Sequence, residues 1–206
     1  MKSQLIILLF LFLTSTLFSQ ANAPNVGVHQ HDGFFLRMLF GVGYADLVEN
    51  DVMGSDLKFS SLGGATRLQI GGTVSDNLII YGELGGVIQT DPTMEWMGES
   101  GSTSDVKVSV FDFGGGITYY LMPANVYFAL GLLINRAELE FNNRKAESEY
   151  GIGFNAMVGK EWWVGEDWGI GATVYISYGT MKDTGEFEDN TINNFYVGVL
   201  FSATYN

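Results

Sequence analysis

The feature that most constrains this chain is an alternation of period two, in which large apolar residues occupy every second position of a segment. In the segment 34–44, Phe34, Met38 and Phe40 fall on one face, while Arg37 and Gly41 fall on the other. Successive side chains of a β-strand point to opposite faces, so this alternation predicts a strand. A helix, with its period of about 3.6 residues, would scatter the same apolar side chains around its axis.

The same alternation recurs along the chain and predicts eight antiparallel strands. The further segments are 62–74, 78–88, 111–119, 126–134, 150–162, 168–178 and 195–205. Upstream of Phe111, the apolar residues Val106, Val108 and Val110 have the opposite parity, which predicts a β-bulge. Glycine supplies 27 of the 206 residues and proline only 3, a composition that favours packed strands over helices.

The connections between these segments alternate in length. Short turns are predicted at 75–77, 122–125 and 164–167, and long loops at 46–60, 90–105, 136–149 and 180–194. This alternation is typical of barrels in the Gram-negative outer membrane, whose short turns face the periplasm. The predicted fold is all-β: an eight-stranded antiparallel up-and-down transmembrane β-barrel over residues 34–206, with short periplasmic turns and four long outer loops.

The first residues have the composition of a secretory signal. Lys2 precedes an apolar run at 5–18, and small residues follow it. We therefore predict a signal peptide at 1–23, cleaved after Ala21 or Ala23, and a periplasmic N-terminal arm at 24–33. The run is too short to cross a bilayer as a helix, so export to the outer membrane is the expected localisation.

Outward aromatic residues are predicted to form two girdles, as they do at the two interfaces of a membrane barrel. The periplasmic girdle is Phe34, Tyr119, Phe128, Trp162, Trp168 and Tyr205, and the outer girdle is Tyr44, Phe111, Tyr150, Tyr178 and Phe195.

The opposite face is mostly Gly, Ser and Thr and suits a narrow interior. Five charged residues on it are expected to pair with one another: Arg37, Arg67, Glu83, Asp112 and Glu161. A soluble lipocalin-like ligand carrier is the alternative, with the apolar face turned inward. Its outer face would then need many more Lys, Glu and Asp residues than this face carries.

Taken together, residues 34–205 resemble the small outer-membrane β-barrel family that includes the OmpA transmembrane domain and OmpX-like proteins. The most suggestive pieces are Gly151-Ile152-Gly153-Phe154 running to Gly159-Lys160-Glu161-Trp162-Trp163, and the last strand from Tyr196 to Tyr205. The resemblance implies fold and location more than an activity. It also implies contact with outer-membrane lipid and lipopolysaccharide, and insertion by the barrel-assembly machinery, which reads the final strand.

Candidate catalytic residues are few. The chain has no Cys, which excludes thiolate metal sites and Cys nucleophiles. His29 and His31 precede the first strand, so we expect them in a solvated arm, with a metal site including Asp32 as the alternative. That arm is remote from the outer rim, where a lipid-cleaving barrel would hold its general base. The tripeptide 183–185 matches aspartic proteases but has no second apposed carboxylate. The sequence predicts no enzyme and no cofactor.

Charge is the remaining signal. The net charge of −13 disfavours nucleic acid as a partner, since phosphates bind Lys and Arg. Glu186, Glu188 and Asp189 are weak candidates for binding divalent cations, with plain solvation as the alternative. We predict a non-enzymatic structural, envelope-integrity or surface-interaction role displayed through acidic loops. A narrow channel for ions or small solutes is the alternative function.

Overall fold

The computed structural model of the chain describes residue 31, residues 33–184 and residues 190–206. All regular secondary structure in these ranges is β-strand, and every pairing is antiparallel, which confirms the all-β prediction. The described residues include no helix long and apolar enough to cross a membrane. The predicted signal peptide at 1–23 lies outside the described ranges, as do Glu186, Glu188 and Asp189.

The described strands form one sheet. Their bounds are β1 Phe34–Val52, β2 Ser55–Ser75, β3 Leu78–Thr90, β4 Thr93–Trp96, β5 Glu99–Ser102, β6 Val106–Leu121, β7 Val126–Phe141, β8 Arg144–Glu147, β9 Gly151–Trp163, β10 Trp168–Lys182 and β11 Thr191–Tyr205. β1 pairs with β2 on one side and with β11 on the other, so the sheet closes on itself and has an interior. We call the end with the turns at 76–77, 122–125 and 164–167 the lower end, and the opposite end the upper end.

The sequence predicted eight strands, whereas the described part of the chain contains eleven. The additional ones, β4, β5 and β8, have four residues each and lie in segments predicted as loops. Segment 46–60 is also mostly strand, because β1 and β2 stay paired up to Val52 and Ser55. Four residues are too few to display an alternation. β4 also pairs with β2 through Lys58 and Glu95, a non-local partner that a local pattern does not reveal.

The β-bulge predicted before Phe111 was wrong. β6 pairs with β3 and β7 without any shift of register. The three valines point inward and join a cluster, here called the upper apolar cluster, that consists of Leu47, Phe59, Val106, Val108, Val110, Ala137, Met181 and Ile192. The change of parity therefore marks a change in the chemistry of the interior, from polar to apolar, rather than an extra residue in the strand.

The outer face of the sheet carries large exposed apolar side chains. Leu62, Leu132 and Ile152 are 78%, 76% and 72% exposed. The residues predicted as girdles lie on this face. At the lower end the rings of Trp168 and Tyr205 are 5.4 Å apart between centroids, and at the upper end Tyr178 is paired with Phe195. Exposed apolar surfaces of this kind mark sites of contact with another protein or with a membrane.

Replacing Val108 with Asp would place a carboxylate without a cationic partner in the upper apolar cluster, where Val108 is 1% exposed. We expect the free energy of unfolding in lipid vesicles to fall by about 3 kcal/mol or more, because a buried unpaired charge is strongly unfavourable. Urea titration followed by tryptophan fluorescence measures the change. Ser109→Asn, at the adjacent outward position, is the matched control and should alter stability by less than about 0.5 kcal/mol. An equally small effect of Val108→Asp would contradict the inward orientation of the valines.

Candidate functional site

The middle of the interior is filled by a network of buried charged and polar side chains. The structure brings together here the five charged residues that the alternation placed on the inner face: Arg37, Arg67, Glu83, Asp112 and Glu161. They come from β1, β2, β3, β6 and β9, so the network connects strands that face each other across the interior. It has two centres, one at each arginine.

The first centre is Arg67. Its Nη2 donates a hydrogen bond to Asp112 Oδ2 at 2.7 Å, and its Nη1 donates to Asp112 Oδ1 and to Glu83 Oε1. The guanidinium carbon lies 4.5 Å from the centre of the Tyr175 ring. Asn155 Nδ2 donates to Glu83 Oε1 at 2.6 Å. Bidentate pairing and the aromatic face hold this cation in one orientation.

The second centre is Arg37. Its Nε lies 3.3 Å from Glu161 Oε1, and its Nη2 donates to the hydroxyl of Tyr120. That hydroxyl in turn donates to Glu161 Oε2 at 2.8 Å. The guanidinium carbon lies 3.8 Å from the centre of the Tyr127 ring. Further donors to Glu161 Oε1 are the hydroxyls of Ser202 and Thr204.

Gln69 connects the two centres. Its Oε1 accepts a hydrogen bond from Arg37 Nη1 at 3.2 Å, and its Nε2 donates to Glu83 Oε2. Sequence reasoning missed Gln69, Tyr120 and Asn155, since it considered only charged residues. All three occupy inward positions of the alternation, so scanning that face for every polar side chain would have found them.

This geometry suits a structural network better than a reactive site. Each carboxylate is paired with an arginine, and bulky side chains fill the interior around them, notably Tyr81, Tyr120, Tyr127, Tyr175 and Tyr196. A cavity of about 980 Å³ is bordered by outward residues such as Phe40 and Leu84, on the outer face of the sheet. Within the described ranges, no three His, Cys, Asp or Glu residues are grouped so that they would hold a metal ion.

His31 closes the lower end of the interior, so the prediction that it lies in a solvated arm is wrong. The structure instead leaves it 1% exposed. Its ring stacks on Tyr120 with 3.4 Å between centroids, and its Nε2 lies 2.8 Å from Asn125 Oδ1. The Thr73 hydroxyl donates to the His31 carbonyl at 3.0 Å. An imidazole fits this opening because it offers a flat ring to Tyr120 and a polar edge to Asn125; His29 and Asp32 lie outside the described residues.

Burial lowers the pKa of the His31 imidazole below its ordinary value. The hydrogen bond to Asn125 and the charge of Glu161 act in the opposite direction, and the charge of Arg37 acts with burial. The neutral ring is therefore the form that fits the lower end.

Three hairpins, β1–β2, β4–β5 and β7–β8, extend the sheet above the upper apolar cluster. Their surface is rich in carboxylates. In the β7–β8 hairpin these are matched by cations, since Lys145 Nζ lies 2.9 Å from Glu138 Oε1 and Arg136 pairs with Glu147. Among the described residues, the β4–β5 hairpin carries Glu95 and Glu99 but no cation of its own.

Comparison with solved structures matches this chain to several proteins at low sequence identity. The Neisserial surface protein A (NspA) is 14% identical over 82% of this chain and 96% of that chain, with a TM-score of 0.48. The outer membrane protein OprG of Pseudomonas aeruginosa is 12% identical over 84% and 97%, with a TM-score of 0.42. Ail, the attachment invasion locus protein of Yersinia pestis, was solved in complex with sucrose octasulfate and is 10% identical over 83% and 99%, with a TM-score of 0.40. No profile of a protein family and no curated protein sequence matches the chain.

Arg67→Met removes the cation between two buried carboxylates. We expect the free energy of unfolding to fall by about 3–5 kcal/mol, because Glu83 and Asp112 remain buried without a cation beside them. Neutralising both carboxylates in the same chain, with Glu83→Gln and Asp112→Asn, should restore much of the loss. Arg136→Met is the matched control, since it breaks an ion pair that is partly exposed, and its effect should stay within about 1 kcal/mol. Equal effects of Arg67→Met and Arg136→Met in urea unfolding would rule out a stabilising role for the Arg67 centre.

Lowering the pH should reduce the contribution of His31 to the stability of the fold. Because folding lowers the pKa of His31, its contribution to stability is complete above the ordinary pKa of about 6.5 and is lost as the pH falls toward the folded-state value. Urea unfolding is measured at about pH 7.5 and about pH 5. Between these values the free energy of unfolding should decrease more for the native chain than for His31→Gln. The Gln side chain keeps a donor toward Asn125 but does not titrate. Identical pH dependence of the two proteins would contradict this assignment.

Proposed function

We propose that this chain is a β-barrel protein of the outer membrane. In this proposal the eight long strands that close the ring, β1, β2, β3, β6, β7, β9, β10 and β11, cross the membrane with the lower end in the periplasm. The observation that carries the proposal is the distribution of side chains: exposed Leu, Ile, Val and Phe cover the outer face, and Arg, Glu and Asp are buried inside. A lipocalin-like carrier requires the reverse distribution.

The role we propose is structural and non-enzymatic, with the upper hairpins displayed outside the cell. The network, the tyrosines and the upper apolar cluster make the wall rigid, and a rigid wall holds the hairpins in fixed positions. Outer-membrane lipid and lipopolysaccharide would surround the wall, and the barrel-assembly machinery would insert it. Divalent cations remain an expectation for the acidic residues outside the described ranges.

The filled interior supports this role over that of a channel. His31 occupies the lower end, the arginine network the middle and the upper apolar cluster the top. A solute crossing the protein would have to displace all three. Eight strands enclose only enough space for their own side chains.

Location and orientation can be tested with single introduced cysteines, because the native chain has no Cys. Lys145→Cys lies in the β7–β8 hairpin and Glu166→Cys in a lower turn. We expect a membrane-impermeant maleimide to label Lys145→Cys on intact cells, and to label Glu166→Cys only after the outer membrane is permeabilised. Both variants should show a heat-dependent shift in electrophoresis of the outer-membrane fraction. Recovery of unshifted, soluble protein would overturn the barrel proposal, and the reverse labelling pattern would overturn the orientation.

The channel alternative has a separate test. Purified barrel inserted in a planar lipid bilayer should give no conductance above that of the bare bilayer, because buried side chains of the described residues occupy all three layers of the interior. The matched variant Arg67→Met should be equally silent, since Tyr175 and the upper apolar cluster remain in place. Discrete conductance steps that occur with the native protein and not in the bare bilayer would favour a transport function over the proposed structural role.

A further inference from the structure

The β1–β2 and β4–β5 hairpins end in two turns of the same kind, each with Met followed by Gly at its centre. Val52 pairs with Ser55 across the first turn, and Trp96 pairs with Glu99 across the second. The central residues all have positive φ, namely Met53 at 53°, Gly54 at 85°, Met97 at 50° and Gly98 at 79°. A turn of this geometry favours Asn, Asp or Gly at its first central position, because most other L side chains are strained there.

The β7–β8 hairpin provides an internal comparison. Its turn has the same sign of φ, 49° and 62°, and uses Asn142 and Asn143, the residue type that tolerates this backbone. Met53 and Met97 are instead 67% and 56% exposed, so they contribute little to the packing of the fold. Local stability therefore does not explain methionine at either position.

The two methionine turns lie side by side. β4 pairs with β2 through Lys58 and Glu95, which places the second hairpin next to the first. Trp96 Nε1 donates a hydrogen bond to the Val52 carbonyl at 3.3 Å, linking the two turns directly. The residues between them border a cavity of about 540 Å³, whose lining includes Trp96, Met97, Asp56, Glu95 and Glu99. We call the set Met53, Trp96, Met97, Asp56, Glu95 and Glu99 the tip surface.

The tip surface combines adaptable apolar groups with carboxylates. Methionine is unbranched and polarisable, so it adjusts to partners of different shape, and it is common on surfaces that bind several ligands. Among the described residues that line the cavity, three carboxylates accompany one cation, Lys58, so the cavity is negative. Anionic lipid headgroups and nucleic acid are disfavoured there by like charge. A helix with one apolar and one basic face matches both properties of the surface at once.

We propose that the tip surface binds cationic amphipathic peptides in helical form. The apolar face of such a helix contacts Met53, Met97 and Trp96, and its Lys or Arg side chains reach Asp56, Glu95 and Glu99. The inference rests on the proposed function in one respect, that the upper end faces outward, where such peptides would meet the protein.

The test uses the full chain in nanodiscs of zwitterionic lipid, with a fluorescent synthetic helix of Leu and Lys as the probe. Fluorescence anisotropy should show saturable binding in excess of that to empty nanodiscs. The double variant Met53→Asn with Met97→Asn should weaken it at least about tenfold, the usual loss when central apolar anchors are removed. Met53→Leu with Met97→Leu is the matched control and should keep the affinity. Glu95→Gln with Glu99→Gln should lower the affinity and reduce its dependence on salt.

The Asn variants are expected to fold at least as well as the native chain, because Asn suits positive φ. A loss of binding with an unchanged heat-dependent shift therefore reports on the surface. Equal affinity of the native and Asn proteins would overturn the proposal. It would also be overturned if the native protein did not bind the peptide but formed dimers that the Asn variant does not form. The tip surface would then bind a second copy of this chain. Cysteine labelling that placed Lys145 in the periplasm would refute the proposed orientation. The peptide measurement in nanodiscs does not depend on orientation, so it would still test binding by the tip surface.

Discussion

Pairing of β1 with both β2 and β11 is the constraint on which the rest of the structure depends. Closure satisfies the backbone hydrogen bonds of every long strand, which is the condition for placing a sheet in hydrocarbon. It also restricts the inner face to a narrow volume. Large inward side chains then need small residues opposite them: a Cβ added at Gly159 would lie 2.5 Å from atoms of the Tyr127 ring. The high glycine content follows from closure as much as from turns.

The narrow interior determines how charge is distributed along it. Arg37 and Arg67 are far from water, so each requires carboxylates and aromatic faces, and Gln69 joins the two centres into one network. Removing one partner of such a network is strongly unfavourable, although an apolar filling of equal volume would be comparably stable. Specificity of strand register is a physical reason for keeping the charges, because sliding a strand by one residue would turn Arg67 to the apolar outer face.

The sequence predicted the structure best where one face of a strand is uniformly apolar over many residues. Alternation around Phe34 and Phe111 located the long strands and the inward charges, since period two leaves little freedom about which side chains share a face. It failed where the chemistry of the inner face changes, as at Val106, Val108 and Val110. It also failed where a contact is non-local, as for β4 against β2 and for His31 against Tyr120. Neither contact has a local signature, because the two partners are far apart in the sequence and meet only in the folded structure.

Most local preferences of this chain agree with its fold: apolar residues face out along the strands, small residues meet tyrosines inside, and Asn142 and Asn143 occupy a turn of positive φ. Against that background Met53 and Met97 stand out, because each accepts backbone strain without gaining burial. Strain that the fold does not use is evidence for a requirement outside the fold. Strand pairing holds both turns closed: β1 pairs with β2 below Met53, and the short strand β4 pairs with both β5 and β2 below Met97. The pairing of β4 with β2 and the bond from Trp96 to the Val52 carbonyl keep the two turns together, so a partner would encounter a surface that is already organised for binding.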